Sequence, residues 1–185
     1  MKRKDELREA SSASSFILHA SSLKIGIISD THGLLRPEVL DAFSNVDHIL
    51  HAGDIGGDDV IASLEEIAPV TYVRGNNDDD DGYEIKRVDI GGLRVLVTHI
   101  LPRTAELRPE IEEQLSNVDL VVFGHSHLPH NEVIGGVRFF NPASARPRRF
   151  DYPVSVGLIE GHDVRHVALD ERSVSALKMR MNQLR

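Results

Sequence analysis

Apolar residues fall in short clusters along this chain, and the spacing inside the clusters alternates between strand-like runs and helix-like faces. "LKIGIIS" is an isoleucine-rich run that stops at Asp30, and "PEVLDAFSN" opens on Pro37 with its apolar positions on one helical face. "HILHAG", "DDVIASLEEIA" and "PVTYVRG" repeat the strand, helix, strand order, the helix carrying acids in its first turn. Two hairpins follow, "YEIKRVDIGGLRVLVTH" and "NEVIGGVRFFN", each turning on a Gly-Gly pair that supplies the positive φ of a tight turn. Between them "TAELRPEIEEQLSN" has a helical pattern and "VDLVVFGHSH" reads as another strand. "VSVGLIE" and "DVRHVAL" complete the strands, and "ERSVSALKMRMNQLR" is a basic helix expected to turn Val174, Leu177 and Met181 inward. Alternation first and hairpins later predict a layered α/β domain over residues 23–185, with two sheets in the middle and helices outside. Residues 1–22 read as a flexible extension, because "FIL" is far shorter than the apolar region of a secretory signal.

Composition narrows the function classes. The formal net charge of −8 argues against a duplex nucleic-acid surface, so an anionic substrate must be attracted locally. With no cysteine, disulfides, thiolate zinc sites and cysteine nucleophiles are excluded, and a reducing cytoplasm is the expected compartment. No segment has the apolar length of a membrane span.

The chemistry lies at the strand ends. The first strand runs into "SDTHG", the second into "HAGDIGG", the third into "RGNND", the fifth into "THIL" and the sixth into "GHSH". Open α/β sheets bind ligands at such carboxyl ends. Asp30, His32, Asp54, Asn76, His99, His125 and His127 together offer carboxylates, an amide oxygen and imidazoles, with no soft sulfur. That donor set suits Mn²⁺, Fe, Zn²⁺ or Co²⁺ better than Ca²⁺ or Cu⁺. It is too large for one ordinary site and suits two metals sharing a carboxylate. Two divalent ions, two carboxylates and one hydroxide leave about +1 by formal count, enough to draw a phosphate to an acidic protein. The remaining histidines, His48, His51, His130, His162 and His166, read as structural or surface residues, and the acidic run at residues 78–81 as a solvated turn.

The ordered series "DTH", "GD", "GNND", "TH" and "GHSH" resembles the calcineurin-like metallophosphoesterase superfamily, and "FFNPASARPRR" resembles the segment after the GHxH motif in its small single-domain prokaryotic phosphodiesterase branch. The likeness covers about residues 23–170. It implies a four-layer α/β/β/α sandwich of two mixed sheets flanked by helices. It also implies two divalent ions, Mn²⁺ first, with Fe²⁺, Ni²⁺, Co²⁺ and Zn²⁺ as alternatives. Asp30, His32, Asp54 and His127 would surround one ion. Asp54 would bridge to the other, completed by Asn76, His99 and His125, the three residues expected to carry catalysis. The implied reaction is phosphodiester hydrolysis by in-line attack of a metal-bridging hydroxide on a small substrate, by a monomer or a homo-oligomer. The alternative is a catalytically weak scaffold of the same fold, as in the small subunit of the retromer coat.

Four positions depart from the family pattern. Asn77 stands where many relatives carry a proton-donating His or Cys, and a neutral amide cannot act as a general acid. Ile100 and Leu101 follow His99 in place of Gly-His and predict a more apolar pocket. Ala143 replaces the usual glycine of the segment after the second hairpin. Arg36, Arg74, Arg146, Arg148 and Arg149 are candidates for contacting a phosphate.

Overall fold

The computed structural model describes residues 23–79, 81–101, 115–146 and 152–183. Strands β1 (Lys24–Ile28), β2 (His48–Ala52) and β3 (Val70–Val73) run parallel, joined by helices α1 (Pro37–Phe43) and α2 (Asp58–Glu65). A hairpin of β4 (Ile85–Ile90) and β5 (Leu93–Thr98) precedes β6 (Leu120–Val122). A second hairpin, β7 (His130–Ile134) and β8 (Val137–Asn141), leads to β9 (Ser155–Glu160), β10 (Asp163–Ala168) and helix α3 (Glu171–Gln183). The strands form two mixed five-stranded sheets, in the orders β10-β9-β1-β2-β3 and β4-β5-β6-β8-β7. Both Gly-Gly pairs take positive φ at both positions, 59° and 90° at Gly91 and Gly92, 59° and 85° at Gly135 and Gly136, as the hairpins require.

The sequence pattern explains the layering. Alternating side chains point to opposite faces of a strand, so Ile25 and Ile27 of β1 enter a core with Leu50, Val95, Val122 and Phe140 between the sheets. Ile28 and Ile49 turn outward, where they meet Val39 and Phe43 of α1 and Val60, Ile61 and Leu64 of α2. Gly26 makes that packing possible: a Cβ there would stand 2.8 Å from the Phe43 ring. The outer face of the second sheet is covered by a third apolar cluster around Leu96, Val118 and Val121, reached by Leu115. The helix expected over residues 104–117 lies outside the described residues except at its end, as does the extension 1–22.

Helix α3 differs from the expected pattern. Leu177 is buried, but Val174 is 43% exposed, and the side chain of Met181 is outside the described set. The inward position belongs instead to Ser173, whose Oγ accepts the Val154 N–H at 2.7 Å. The Asp170 carboxylate caps this helix by accepting the Ser173 N–H at 2.8 Å.

Candidate metal centre

The loops that leave β1, β2, β3, β5 and β6 meet at one rim of the sandwich. Backbone hydrogen bonds hold them there: Asp30 N–H to Gly53 O (3.0 Å), His32 N–H to Asp54 O (2.9 Å), and Gly124 N–H to His99 O (3.0 Å). Five of the seven candidate ligands, Asp30, His32, Asp54, His125 and His127, have φ between 47° and 65°. This left-handed region is costly for residues with a Cβ, though Asp and His tolerate it better than most. Its recurrence at the ends of successive strands marks a built site. Ala143 shares the strain, with φ 70°, where the family's glycine would carry none.

All seven residues arrive at this rim. Asp30, His32 and His127 present ligand atoms within 4.8 Å of one another, and so do Asp30, Asp54 and His99. Asp54 stands between the groups, with Oδ2 3.6 Å from His32 Nε2 and Oδ1 3.3 Å from His99 Nε2. His127 Nε2 lies 3.1 Å from Asp30 Oδ1. Asn76 Oδ1 is 3.1 Å from His99 Nε2 and 3.0 Å from His125 Nδ1, so the amide oxygen gathers the remaining imidazoles. The first sheet supplies Asp30, His32, Asp54 and Asn76; the second supplies His99, His125 and His127.

The donor atoms fit a cation. Asp30 is fully buried, yet both of its carboxylate oxygens lack a hydrogen-bond partner, and the buried His32 Nε2 lacks one too. A buried carboxylate left in this state is costly unless a positive charge answers it. His99 is oriented for the same purpose: Nδ1–H donates to Ala52 O at 2.7 Å, which turns Nε2 toward Asp54 and Asn76. Close approach of the loops is secured by glycines. A Cβ on Gly53 would stand 2.8 Å from the His99 ring, and one on Gly75 would run into the Asp54 backbone nitrogen and carboxylate.

Charge follows from these contacts. Burial pushes the Asp54 carboxyl up, but hydrogen bonds from His99 and Asn77 outweigh it and hold it well below the usual range. Burial pushes His99 down, yet the Asp54 hydrogen bond, the Asp30 field and the Ala52 carbonyl together raise it above its ordinary value. His32 is lowered, chiefly by burial, with the Arg146 charge adding to the effect against Asp54.

A bound cation should stabilise the fold, since its ligands are assembled only in the native state. At 100 times the dissociation constant the gain is about 2.7 kcal/mol, roughly 5–11 °C in Tm for a chain of this size. Asp30→Asn should lose most of that rise when Mn²⁺ is titrated in a thermal melt. An equal rise in the variant would remove Asp30 from the metal group.

The structure adds residues that the sequence reading passed over. Asn77, singled out only for the proton it cannot donate, holds Asp54 in place: its backbone N–H meets Oδ1 at 2.9 Å and its Nδ2 meets Oδ2 at 2.6 Å. Asp78 is no mere member of a solvated acidic turn. Its carboxylate accepts N–H groups from Ile55 (2.8 Å), Gly56 (2.8 Å) and Gly75 (2.9 Å), tying the second loop to the third. The buried Asn141 holds the "GHSH" loop by donating to Gly124 O at 2.7 Å, and an Asn at a strand end before Pro was its only signal. Beside Asn77 opens a cleft of about 390 Å³ whose lining includes Tyr72, Arg74 and Asp79. None of the seven candidate ligands lines this cleft, and Leu101, expected beside His99, packs instead on the outer cluster of the second sheet.

His51, expected to be structural or at the surface, is structural. Fully buried, it accepts the Gly53 N–H at Nδ1 (3.2 Å), while Nε2 contacts Thr31 Oγ1 (2.9 Å), whose hydroxyl donates to Ile55 O (2.9 Å). These partners require a neutral ring with the proton on Nε2. Burial lowers its pKa to about 4. Because folding depresses this pKa, the stability it contributes is complete above pH ~6.5 and is lost as pH falls toward 4, up to roughly 3 kcal/mol. Urea unfolding of metal-free protein at pH 7.5 and 4.5 should show a smaller loss in His51→Gln than in the parent. Equal losses would assign the pH dependence elsewhere.

An α/β sandwich with carboxylates and imidazoles converging at one rim defines a protein built around a candidate metal site. The comparisons with known proteins sharpen that class. The model of the calcineurin-like phosphoesterase superfamily domain matches residues 23–163, and the chain belongs to this family. It is 39% identical over 150 residues to a probable metallophosphoesterase of Methanothermobacter thermautotrophicus, covering 74% of this chain and 86% of the relative. It is 27% identical over 181 residues to the phosphodiesterase YfcE of Escherichia coli, covering 83% and 96%. The fold is also that of Vps29 from Entamoeba histolytica, solved with Zn²⁺: TM-score 0.60, 22% identity, covering 80% of this chain and all of that one. Among the described residues, no helix is long and apolar enough to cross a membrane.

Proposed function

We propose that this protein is a dinuclear metal-dependent phosphodiesterase acting on small phosphodiesters. One observation carries the reading: the buried Asp30 carboxylate with neither oxygen hydrogen-bonded, set between two overlapping groups of ligand atoms. Asp30, His32, Asp54 and His127 would hold one ion, and Asp54, Asn76, His99 and His125 the other, with Mn²⁺ the expected metal. Two such ions, when bound, supply a strong nucleophile from water at neutral pH and charge stabilisation for an in-line displacement at phosphorus.

The chain's own residues set up that chemistry. Asn77 fixes both oxygens of Asp54, so the shared carboxylate cannot rotate. His99 is locked in the tautomer that offers Nε2 by its bond to Ala52 O. His125 is exposed at the rim, with Nδ1 3.0 Å from Asn76 Oδ1. Asn77 cannot protonate a leaving group, so esters of acidic alcohols such as aryl diesters should turn over far better than alkyl diesters. The relative named a phosphodiesterase supports the diester assignment.

The test is hydrolysis of bis(p-nitrophenyl) phosphate by metal-stripped protein with Mn²⁺ added back, alongside His125→Ala. Activity that returns with metal and falls roughly 100-fold in the variant supports the reading. A folded protein inactive with Mn²⁺, Fe²⁺, Ni²⁺, Co²⁺ and Zn²⁺ would sink it and favour a scaffold role, for which the Vps29 likeness supplies the fold alone.

A further inference from the structure

Among the described residues, four hydrogen bonds join the loop after β3 to the loop after β2. Asn77 donates two of them to the Asp54 carboxylate, to the same oxygens that two ions would share. The other two end on Asp78: Oδ2 accepts the Ile55 N–H and Oδ1 the Gly56 N–H, each at 2.8 Å. Oδ2 also accepts the Gly75 N–H at 2.9 Å, and the Asp78 N–H closes the turn onto Gly75 O at 3.0 Å. One carboxylate thus grips the residue after Asp54 and the residue before Asn76, with oxygens that take no part in the ligand groups.

The loop after β2 does not depend on this grip. Asp30 N–H to Gly53 O (3.0 Å), His32 N–H to Asp54 O (2.9 Å) and Gly33 N–H to Ile55 O (2.7 Å) fasten it to the loop after β1. Losing the Asp78 bonds would therefore release the loop after β3, with Asn76 and Asn77, and leave Asp30, His32 and Asp54 in register. The two groups of ligands differ accordingly. Asp30, His32, Asp54 and His127 include no residue of the released loop. Asp54, Asn76, His99 and His125 draw Asn76 from it, and Asn76 Oδ1 is the atom that gathers His99 and His125. The former group also has two carboxylates against one, so it should fill first.

Resting on the dinuclear reading above, we infer that Asp78 is a positioning residue for one ion of the pair: it pins the loop carrying Asn76 to the loop carrying Asp54, and so sets the affinity of the second ion but not of the first. The experiment titrates Zn²⁺ into metal-free parent, Asp78→Asn and Asp79→Asn, with calorimetry for each binding step and native mass spectrometry for the number of ions bound. An amide keeps one acceptor oxygen, so in Asp78→Asn at least one of the three N–H groups would face an NH₂. Asp79 is an exposed acid one residue on that shares none of these bonds, and its variant removes the same charge. Amide hydrogen exchange at Ile55, Gly56 and Gly75, followed by NMR in the metal-free proteins, reads the pin without any metal.

Asp78→Asn should weaken the second binding step ~10–100-fold, as loss of a residue that orients ligands does, and the first step much less. Asp79→Asn should move both steps by less than about threefold, as an exposed charge does. Exchange at the three amides should quicken roughly 10-fold or more in Asp78→Asn and keep the parent rates in Asp79→Asn. Equal weakening of both steps, an unchanged second step, or the same loss in Asp79→Asn overturns the assignment. If the parent binds fewer than two ions, the dinuclear reading fails, while exchange still decides whether Asp78 pins the loops, and unchanged rates refute it. Should Asp78→Asn not fold, the parent decides by reciprocity: a second equivalent of Zn²⁺ should slow exchange at the three amides beyond the first, and no further slowing refutes the role.

Discussion

Asp54→Asn is expected to lower metal-dependent hydrolysis on the order of 1000-fold while the chain still folds. Losing a residue that merely orients a ligand costs ~10–100-fold in metal affinity or activity, and Asp54 stands between both ligand groups. It is 2% exposed, and Asn77 holds both of its oxygens, the N–H at Oδ1 and the amide at Oδ2, with His99 Nε2 3.3 Å from Oδ1 and His32 Nε2 3.6 Å from Oδ2. An amide offers only one acceptor oxygen. Either orientation of the new side chain points an NH₂ at a donor of Asn77, leaving buried donors unpaired at about 1–3 kcal/mol. Metal content by mass spectrometry, measured with activity and circular dichroism, separates the outcomes. Folded protein with depleted metal and no turnover is the expected result. Full activity with full metal content would exclude a shared carboxylate at this position.

Gly124→Ala should be strongly destabilising. A Cβ there would collide with the Ser29 hydroxyl and stand 2.9 Å from both Ala52 O and Asp30 Oδ2. None of these can retreat: Ser29 and Asp30 are fully buried, and the Ala52 carbonyl accepts the His99 ring N–H. Overpacking of this kind costs about 3 kcal/mol, or roughly 6–12 °C in Tm. The variant should also bind metal poorly, because relief requires the "GHSH" loop to lift away from Asp30. Melting at the parent temperature would show that the loop is free to shift. Gly135→Ala is the contrast: a Cβ there meets nothing within 4 Å, although its φ of 59° still adds local strain.

What was readable in the sequence had short-range causes. Isoleucine runs, Pro37 and the paired glycines act within a few residues, so β1 to β3 and both hairpins were legible. The seven candidate residues could be picked out because each lies within five residues of a strand's carboxyl end. Sheet order was not: β8 slips between β6 and β7, a placement set by packing rather than by any local period. The contacts of Asn77, Asp78 and His51 were not legible for a related reason. Each acts on a loop twenty or more residues away, and nothing in "NND" or "HILH" reveals which group will face the side chain. Val174 shows the opposite error, since helical spacing alone turned it inward while the buried Ser173 took the contact with Val154.

Because the candidate ligands come from both sheets, metal occupancy and closure of the sandwich would form one equilibrium. A cation clasped by Asp30 and Asp54 from one leaf and His99 from the other would rivet the two leaves at their rim. Fluctuations that part the leaves must then break coordination bonds first. By reciprocity, affinity at the rim also draws on packing deep in the seam, where the buried Phe140 ring is stacked on His166 at 4.5 Å. A cavity opened at that depth would loosen the rivet without touching a ligand.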